Sequence, residues 1–330
     1  MNPELMSAVK KFIRGLHNLH PENRGVVATI GTFDGIHLGH QAIMAQVRNK
    51  SAIFELPSMA MIFEPHPMEY FSQEQAPARL MRMHEKLEAI YAEGIDQIFC
   101  LQFNRSLRQL SAREFIDRVL VNGIRVRCLV VGDDFRFGCD RKGDSDMLRE
   151  AGRQYGFEVI DTATVELKGR RVSSTWVRQE LQAGNFTFAE TLLGKPFCIS
   201  GRVVHGQHLG RTLGVPTANV HLHRYRAPLS GVFVVEVLVE GSRLPAVANV
   251  GVRPTVGDLV KPILEVHVLD WEGDLYGKRI TVQFINKIRE ERQFANVDEL
   301  IVNIQADIAK AKQYFADLRR APGEVTPANP

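Results

Sequence analysis

The stretch Val26-Val27-Ala28-Thr29-Ile30-Gly31-Thr32-Phe33-Asp34-Gly35-Ile36-His37-Leu38-Gly39-His40 passes from an apolar run straight into a loop of glycines and histidines. Val26 to Gly31 reads as a buried strand, and Gly39 to Asn49 as the helix after it. The alternation continues: Ser58 to Phe63, Gln97 to Leu101 and Arg127 to Gly132 read as strands, and His84 to Glu93 and Ala112 to Val121 as helices. Strands spaced by helical patterns predict an α/β fold with a parallel, doubly wound sheet from residue 26 to about 185. Such sheets bind ligands beyond the carboxyl ends of their strands, so chemistry is expected in the loops after Ile30, Phe63 and Val131.

After Gly184 the texture changes. Phe197 to Val204, Val232 to Val239, Ala246 to Val250, Leu264 to Leu269 and Arg279 to Phe284 are short strands separated by Gly, Pro or Asp turns, the pattern of an antiparallel barrel or sandwich. A final helix is expected from about Val297 to Arg319. Leu300, Ile304, Ile308, Ala311, Phe315 and Leu318 step down one of its faces, which should pack on the barrel. The tail Ala321 to Pro330 has three prolines and little to bury, and is expected to be disordered. The domains expected are therefore 1–185, 186–320 and the tail 321–330.

The chain's 330 residues fit two domains, and 45% hydrophobic with 24% charged residues is the composition of soluble globular proteins. The most apolar window, Ala52 to Phe63, is broken by Glu55 and Pro57, and the N-terminus has no signal-peptide core, so no membrane partner is expected. Forty-one basic against 38 acidic residues give a net charge of +3 with no basic block, which argues against a nucleic-acid partner. Cys100, Cys128, Cys139 and Cys198 form neither a CxxC nor a Cys/His cluster. These features point to the cytoplasm; oligomeric state is left open.

His37 and His40 form a His-x-Gly-His element at a strand-to-helix turn. Gly35 and Gly39 let the backbone approach a ligand, and the helix start offers N–H groups to phosphate. Both rings can face one anion from a first helical turn. In nucleotidyl transfer a phosphate oxygen attacks the α-phosphate of a nucleoside triphosphate, which calls for alignment and charge stabilisation and for no covalent nucleophile. The alternatives are an idle helix-start pair or two of three metal ligands, though no third ligand stands at a sensible spacing. Gly132-Asp133-Asp134-Phe135-Arg136-Phe137-Gly138 follows another strand and is either a second wall of the site or a plain surface loop. Ser173-Ser174-Thr175-Trp176-Val177-Arg178 opens a helix, where the hydroxyls are either N-caps or holders of the β- and γ-phosphates with Arg178 as a clamp. Phe63-Glu64-Pro65-His66-Pro67 is a stiff loop, a rigid turn or the wall of an acceptor pocket.

In the second half, glycines at 201, 206, 210 and 214 with interleaved Arg202, His205 and Arg211 would suit a backbone wrapped around phosphate, and equally suit barrel turns. Neither a Walker sequence nor a protein-kinase catalytic loop is present. Thr217 and Asn219, if extended, aim hard oxygens to one side, as magnesium requires. In Leu264-Glu265-Val266-His267-Val268 the two polar residues share the face opposite the apolar ones; Glu265 is either a proton acceptor for a hydroxyl or a solvent-facing strand residue.

Taken together, Gly31 to His40, Phe63 to Pro67, Arg79-Leu80 with Glu85-Lys86-Leu87, Gly132 to Gly138 and Ser173 to Arg178 in the first half resemble the bacterial bifunctional riboflavin kinase/FMN adenylyltransferases, also called FAD synthetases. Gly201 to Val220, Ala248 to Thr255, Leu264 to His267 and Gly273 to Gly277 continue the likeness, which spans nearly the whole chain. The resemblance implies a Rossmann-like nucleotidyltransferase domain of the HxGH type followed by an antiparallel β-barrel riboflavin kinase domain with a terminal helix. It implies riboflavin, FMN, FAD and ATP as small-molecule partners and Mg2+ as the cation carried with ATP. By likeness, Gly31, Phe33, Asp34, Gly35, His37, His40, Ser173, Ser174, Thr175 and Arg178 bind the adenylylating ATP. Gly201, Gly206, Gly210, Arg211, Gly214, Thr217 and Asn219 bind the kinase ATP, with Thr217 and Asn219 on the metal and Glu265 as general base. Phe63, His66, Asp134 and Arg289 are candidate flavin contacts. Relatives often carry Asn where this chain has Asp134, which adds a negative charge beside a triphosphate.

The competing reading is an HxGH nucleotidyltransferase for another acceptor, such as nicotinamide mononucleotide or a cytidylyl substrate, joined to a non-catalytic flavin-binding barrel. An aminoacyl-tRNA synthetase is disfavoured because Ser173 to Arg178 lacks the lysines of a Lys-Met-Ser-Lys-Ser loop. A regulatory module with decayed sites is disfavoured by intact residues at every motif.

Overall fold

The computed structural model describes residues 10–205, 215–254 and 260–320. The chain divides into two units, Met1–Val177 and Arg178–Pro330.

In the first unit six strands, β1 (Lys11–Arg14), β2 (Val27–Ile30), β3 (Ser58–Glu64), β4 (Gln97–Gln102), β5 (Cys128–Gly132) and β6 (Glu158–Thr162), form a parallel sheet in the order β1-β4-β3-β2-β5-β6. Helices α1 (Leu38–Phe54), α2 (Pro67–Phe71), α3 (Met83–Ala92), α4 (Arg105–Arg108), α5 (Ala112–Phe115) and α6 (Ser145–Tyr155) connect the strands. Every residue of β2 is buried, as befits a parallel strand covered on both faces. Strand alternation sends Ala28, Ile30, Met59 and Met61 into one core and Val27, Ala60 and Ile62 into the other. From β2 the chain moves outward to β3 and β4, then returns to β5 on the other side. The order thus reverses between β2 and β5, and the crevice at their carboxyl ends is where such a fold opens to a ligand.

Several boundaries differ from the sequence reading. Helix α1 runs on past Asn49 to Phe54, where Glu55 ends it in the left-handed region at φ 54°. The helix expected over Ala112 to Val121 is α-helical only to Phe115 and continues over Ile116–Val121 with π pitch, so that the Ile124 N–H reaches the Val119 carbonyl at 2.9 Å. Strands β1 and β6 and helix α6 were not anticipated, although Asp144 caps α6 by accepting from the Met147 N–H at 3.0 Å. A small hairpin, β7 (Glu166–Leu167) and β8 (Arg170–Arg171), precedes α7 (Ser174–Ala183) and α8 (Phe186–Leu193).

The second unit is a closed antiparallel barrel, not an open sandwich. Strands β9 (Cys198–Val204), β10 (Ala218–His221), β11 (Gly231–Val239), β12 (Ser242–Pro254), β13 (Val260–Val268) and β14 (Arg279–Arg289) close in the order β10-β13-β12-β11-β14-β9. Strand β12 extends well beyond the expected Ala246 to Val250 because it pairs along β11 from the Val239↔Ser242 turn and along β13 to Pro254↔Val260. Helix α9 (Val297–Arg320) lays Ala311 and Phe315 onto Val232, Val234, Val247 and Leu269. Leu318, expected on the same face, is 54% exposed: the apolar stripe ends one turn earlier than its spacing suggests. The expected tail Ala321 to Pro330 lies outside the described residues.

Candidate active sites

The loop after β2 turns its apolar side chains inward. Phe33 and Ile36 are fully buried and adopt positive φ of 45° and 46°, unusual for residues with a Cβ, while Gly35 at φ 93° sits between them. This anchoring turns the loop so that His37 precedes α1 as its N-cap and His40 lies in the first turn. The two imidazoles stack with centroids 3.7 Å apart and planes 20° from parallel. Phe33 meets His40 edge-on at 5.2 Å. A Cβ on Gly39 would stand 3.2 Å from the His37 ring, a tight contact, so a larger residue at this position would press on the stacked pair. Burial, then the neighbouring His37, then Lys86 and Arg171 hold the His40 imidazole well below its ordinary pKa. A neutral ring beside α1's free N–H groups keeps its capacity to meet an anion.

A cavity at the β2/β5 reversal is lined by Gly31, Phe33, His37, His40, Asp133, Asp134, Arg171 and Ser173. Asp134 forms a two-pronged pair with Arg171, 2.7 Å on each prong, and the guanidinium holds its carboxyl below the ordinary value. Asp133 accepts from the Thr164 hydroxyl at 2.6 Å. The extra negative charge at Asp134 is therefore neutralised by a residue that sequence reasoning passed over.

Asp34 was expected to face a nucleotide. It is 3% exposed, and its two oxygens accept the N–H groups of Leu80 at 2.9 Å and Met81 at 3.0 Å. It is a strut from the histidine loop to the segment before α3. The Ser174 hydroxyl donates to the Asp34 carbonyl at 2.8 Å, tying the start of α7 to the same loop. Ser173 receives the Trp176 N–H at 3.3 Å, Thr175 is exposed, and Arg178 follows one turn along α7, beyond the unit boundary.

Phe63 and His66 lie outside that cavity. The His66 ring caps α2 by accepting the Met68 N–H at 3.2 Å on Nδ1, and burial lowers its pKa. Phe63 meets Phe103 edge-on at 6.1 Å, and Phe103 continues to Tyr70 and to Phe71, which is 55% exposed. Arg79 locks the loop by donating to Glu64 at 2.9 and 3.1 Å and to Glu69 at 2.6 Å.

In the barrel, Asn219 on β10, Glu265 on β13 and Asn249 on β12 form one cross-strand row, Asn219↔Glu265↔Asn249. The Asn249 amide donates to Glu265 Oε2 at 3.4 Å. Glu265 and His267 face a cavity against α9 with Thr217, Asn249, Arg289 and Asp307, while Leu264, Val266 and Val268 are buried on the opposite face of the strand. Asn219 is 5% exposed, its amide nitrogen donates to the Thr217 carbonyl at 3.4 Å, and its buried Oδ1 has no hydrogen-bond donor among the described residues. Such an oxygen fits a hard cation. Arg289 is held by Asp307, a carboxylate 3% exposed in the middle of α9's buried face, at 2.8 to 3.2 Å. Thr217 also borders a second cavity with Trp271, Asp274 and Tyr276. Gly201 lies on β9; Gly206, Gly210, Arg211 and Gly214 fall outside the described residues.

Sequence reasoning named His37, His40, Thr217, Asn219, Glu265 and Arg289 but gave no role to Arg171, Asn249 or Asp307. Asn249 was within reach of it, since Glu265 needs a donor beside it and Ala248 to Thr255 had been singled out.

Comparison with known proteins gives two family models in tandem, FAD synthetase over residues 19–176 and riboflavin kinase over residues 193–315. Curated relatives described as bifunctional riboflavin kinase/FMN adenylyltransferase include one from Pseudomonas fluorescens, 55% identical over 93% of this chain and 98% of its own length. Another, from Escherichia coli K12, is 49% identical over 92% of this chain and 98% of its own. A crystal structure described as a macrolide-efflux protein from Streptococcus pneumoniae matches with a TM-score of 0.74 at 30% identity, covering 91% of this chain and 98% of that one. Among the described residues no helix is long and apolar enough to cross a membrane.

Proposed function

The chain belongs to the bacterial bifunctional riboflavin kinase/FMN adenylyltransferase family, and we propose that its two activities divide between residues 1–185 and 186–320. It is an enzyme of FMN and FAD synthesis: ATP phosphorylates riboflavin to FMN, and a second ATP adenylylates FMN to FAD with release of pyrophosphate.

For the first step we assign Glu265 as the base that takes the proton of riboflavin's ribityl 5′-hydroxyl while its oxygen attacks the γ-phosphorus of ATP and ADP leaves. The Asn249 amide orients that carboxylate. Thr217 and the otherwise unused Oδ1 of Asn219 would hold Mg2+, which when bound screens the charge of the triphosphate. Thr217 borders both barrel cavities. Flavin is assigned to the one with Glu265 and Arg289, nucleotide to the one with Trp271 and Tyr276, and the γ-phosphoryl group crosses at Thr217.

For the second step the nucleotide is assigned to the cavity of His37 and His40. An FMN phosphate oxygen attacks the α-phosphorus, and the bond to the bridging oxygen breaks. The stacked imidazoles, the start of α1 and the hydroxyls at the start of α7 bear the developing charge on pyrophosphate. Arg171 exchanges its Asp134 partner for phosphate. Gly31 and Gly39 line the cavity, where they make room for the Phe33 and His37 rings, and Gly35 and Asp34 act through the loop they shape. The reading places the protein in the cytoplasm, consistent with four cysteines that are all free thiols.

The observation that carries this reading is the Asn219, Glu265 and Asn249 row beside Thr217, because an HxGH enzyme for another acceptor has no use for it. Chromatography of flavins after incubation with riboflavin, ATP and Mg2+, and in parallel with FMN, tests it. FMN and FAD are expected from riboflavin, and FAD from FMN. FAD from FMN alone would make the barrel a non-catalytic appendage.

A further inference from the structure

Residues 79–86 are wedged between the two histidine loops of the first unit. On one side Arg79 holds Glu64 and Glu69, which flank His66; on the other, the N–H groups of Leu80 and Met81 hold Asp34, three residues before His37. Lys86 follows one turn into α3 and is only 4% exposed. Three carboxylates act on its charge, and all three are already engaged: Asp34 by backbone N–H groups, Glu64 and Glu69 by Arg79. No hydrogen bond or ion pair engages the Lys86 ammonium among the described residues. Burial lowers its pKa, and its charge in turn acts on both His40 and His66. A buried ammonium without a committed partner is costly, and a fold that retains one is holding it for something.

We propose that Lys86 is a catalytic residue of adenylyl transfer, the cation that receives the phosphate of FMN and brings it to the α-phosphate of ATP. The proposal rests on the adenylyl-transfer reading above. In that step the FMN phosphate, a dianion, has to approach an anionic α-phosphate. One of its oxygens forms a bond to the α-phosphorus; the bond from that phosphorus to the bridging oxygen breaks, and its electron pair leaves on pyrophosphate. His37, His40 and Arg171 all line the cavity assigned to the nucleotide and serve that side. On the acceptor side Arg79 is committed to Glu64 and Glu69, which leaves Lys86 as the buried cation there that no hydrogen bond or ion pair engages among the described residues. The ammonium's place between the HxGH loop and the His66 loop, outside the lining of the nucleotide cavity, suits the acceptor phosphate and not the triphosphate.

The test is steady-state FAD formation from FMN and ATP by full-length K86M, with riboflavin phosphorylation by the same preparation as the reference. The expected result is a fall of about 10²-fold in kcat/KM for FMN, comparable to losing one transition-state donor. The KM for ATP should stay within about twofold, the kinase step should be unchanged, and K86R should recover at least a tenth of the loss. The melting temperature should hold or rise, because a methionine of similar volume replaces an unpaired buried charge. Undiminished FAD formation by K86M overturns the proposal. So does a loss that comes with a lowered melting temperature and is not recovered by K86R, since that marks a structural lysine. K86Q serves where K86M does not fold, and failure of both to fold likewise overturns it. Absence of FAD synthesis in the unsubstituted protein would instead count against the functional reading itself.

Discussion

Replacing Asp34 with alanine should weaken the first unit far more than an ordinary loop substitution. Its carboxylate is 3% exposed and accepts two backbone N–H groups, from Leu80 at 2.9 Å and Met81 at 3.0 Å. Hydrogen bonds to a charged acceptor contribute ~1.5–3 kcal/mol each, so losing both costs about 3–6 kcal/mol. Lys86 also loses the carboxylate that most favours its charge. For a unit of this size each kcal/mol lowers the melting temperature by ~2–4 °C, which gives a drop of about 6–24 °C. The two tryptophans allow the unit to be followed alone: in a W271F background, Trp176, 5% exposed, reports on residues 1–177. Separate transitions matter here, because a chain of two units need not unfold in one step. Below the transition, phosphorylation of riboflavin by D34A should be unchanged. A fall of less than about 2 °C would mean that water replaces the carboxylate at both N–H groups and that Asp34 is no strut.

Glu265→Ala should lower FMN formation by the ~10²–10⁴ typical of a lost general base while FMN supplied directly still becomes FAD; a folded variant that loses both steps refutes the division of labour. His40→Ala should do the reverse and accumulate FMN from riboflavin, and normal FAD yield from that variant would remove the HxGH histidines from the mechanism. His40 also sets a pH dependence. Its folded pKa lies well below the unfolded ~6.5, so below that value the unfolded chain binds the extra proton and stability falls by up to ~1.4 kcal/mol per pH unit. Urea midpoints of the first unit between pH 7 and 5 should show this slope, and His40→Ala should reduce it, with the remainder coming from His66, whose pKa burial also lowers. Asn219→Ala removes the buried oxygen without a donor and should raise the Mg2+ needed for half-maximal kinase activity by about tenfold or more; an unshifted titration would take Asn219 off the metal.

Much of the fold was legible because parallel and antiparallel strands differ in how their neighbours repeat. Continuous apolar runs such as Val26 to Ile30 need cover on both faces, whereas Leu264 to Val268 alternates and needs it on one. The histidine pair and Glu265 were legible for the same reason: each site element sits within a few residues of a strand end or on a strand face. What escaped depends on pairing across the chain. Asn249 stands beside Glu265 only through the register of β12 on β13, and Arg171 meets Asp134 across 37 residues through the β7–β8 hairpin. No local pattern prescribes either. The inward course of Asp34 was not legible because the left-handed turns at Phe33 and Ile36 on either side of it leave no mark in composition. The π-pitched turn at Ile116–Val121 is silent in the same way, since its apolar residues also satisfy an α-helical period.

Closure of the barrel also orders events on the ribosome. Strand β9 has to wait for β14, because Cys198 pairs with Gln283 and Ser200 with Thr281; the barrel stays open until nearly the whole chain has been synthesised. The parallel sheet is complete once β6 ends at Thr162, so the N-terminal unit can fold while the other is still being made. Nascent chains that stall before residue 279 would therefore carry a finished adenylylating half with no kinase to feed it. The half that acts second on the flavin is the half completed first.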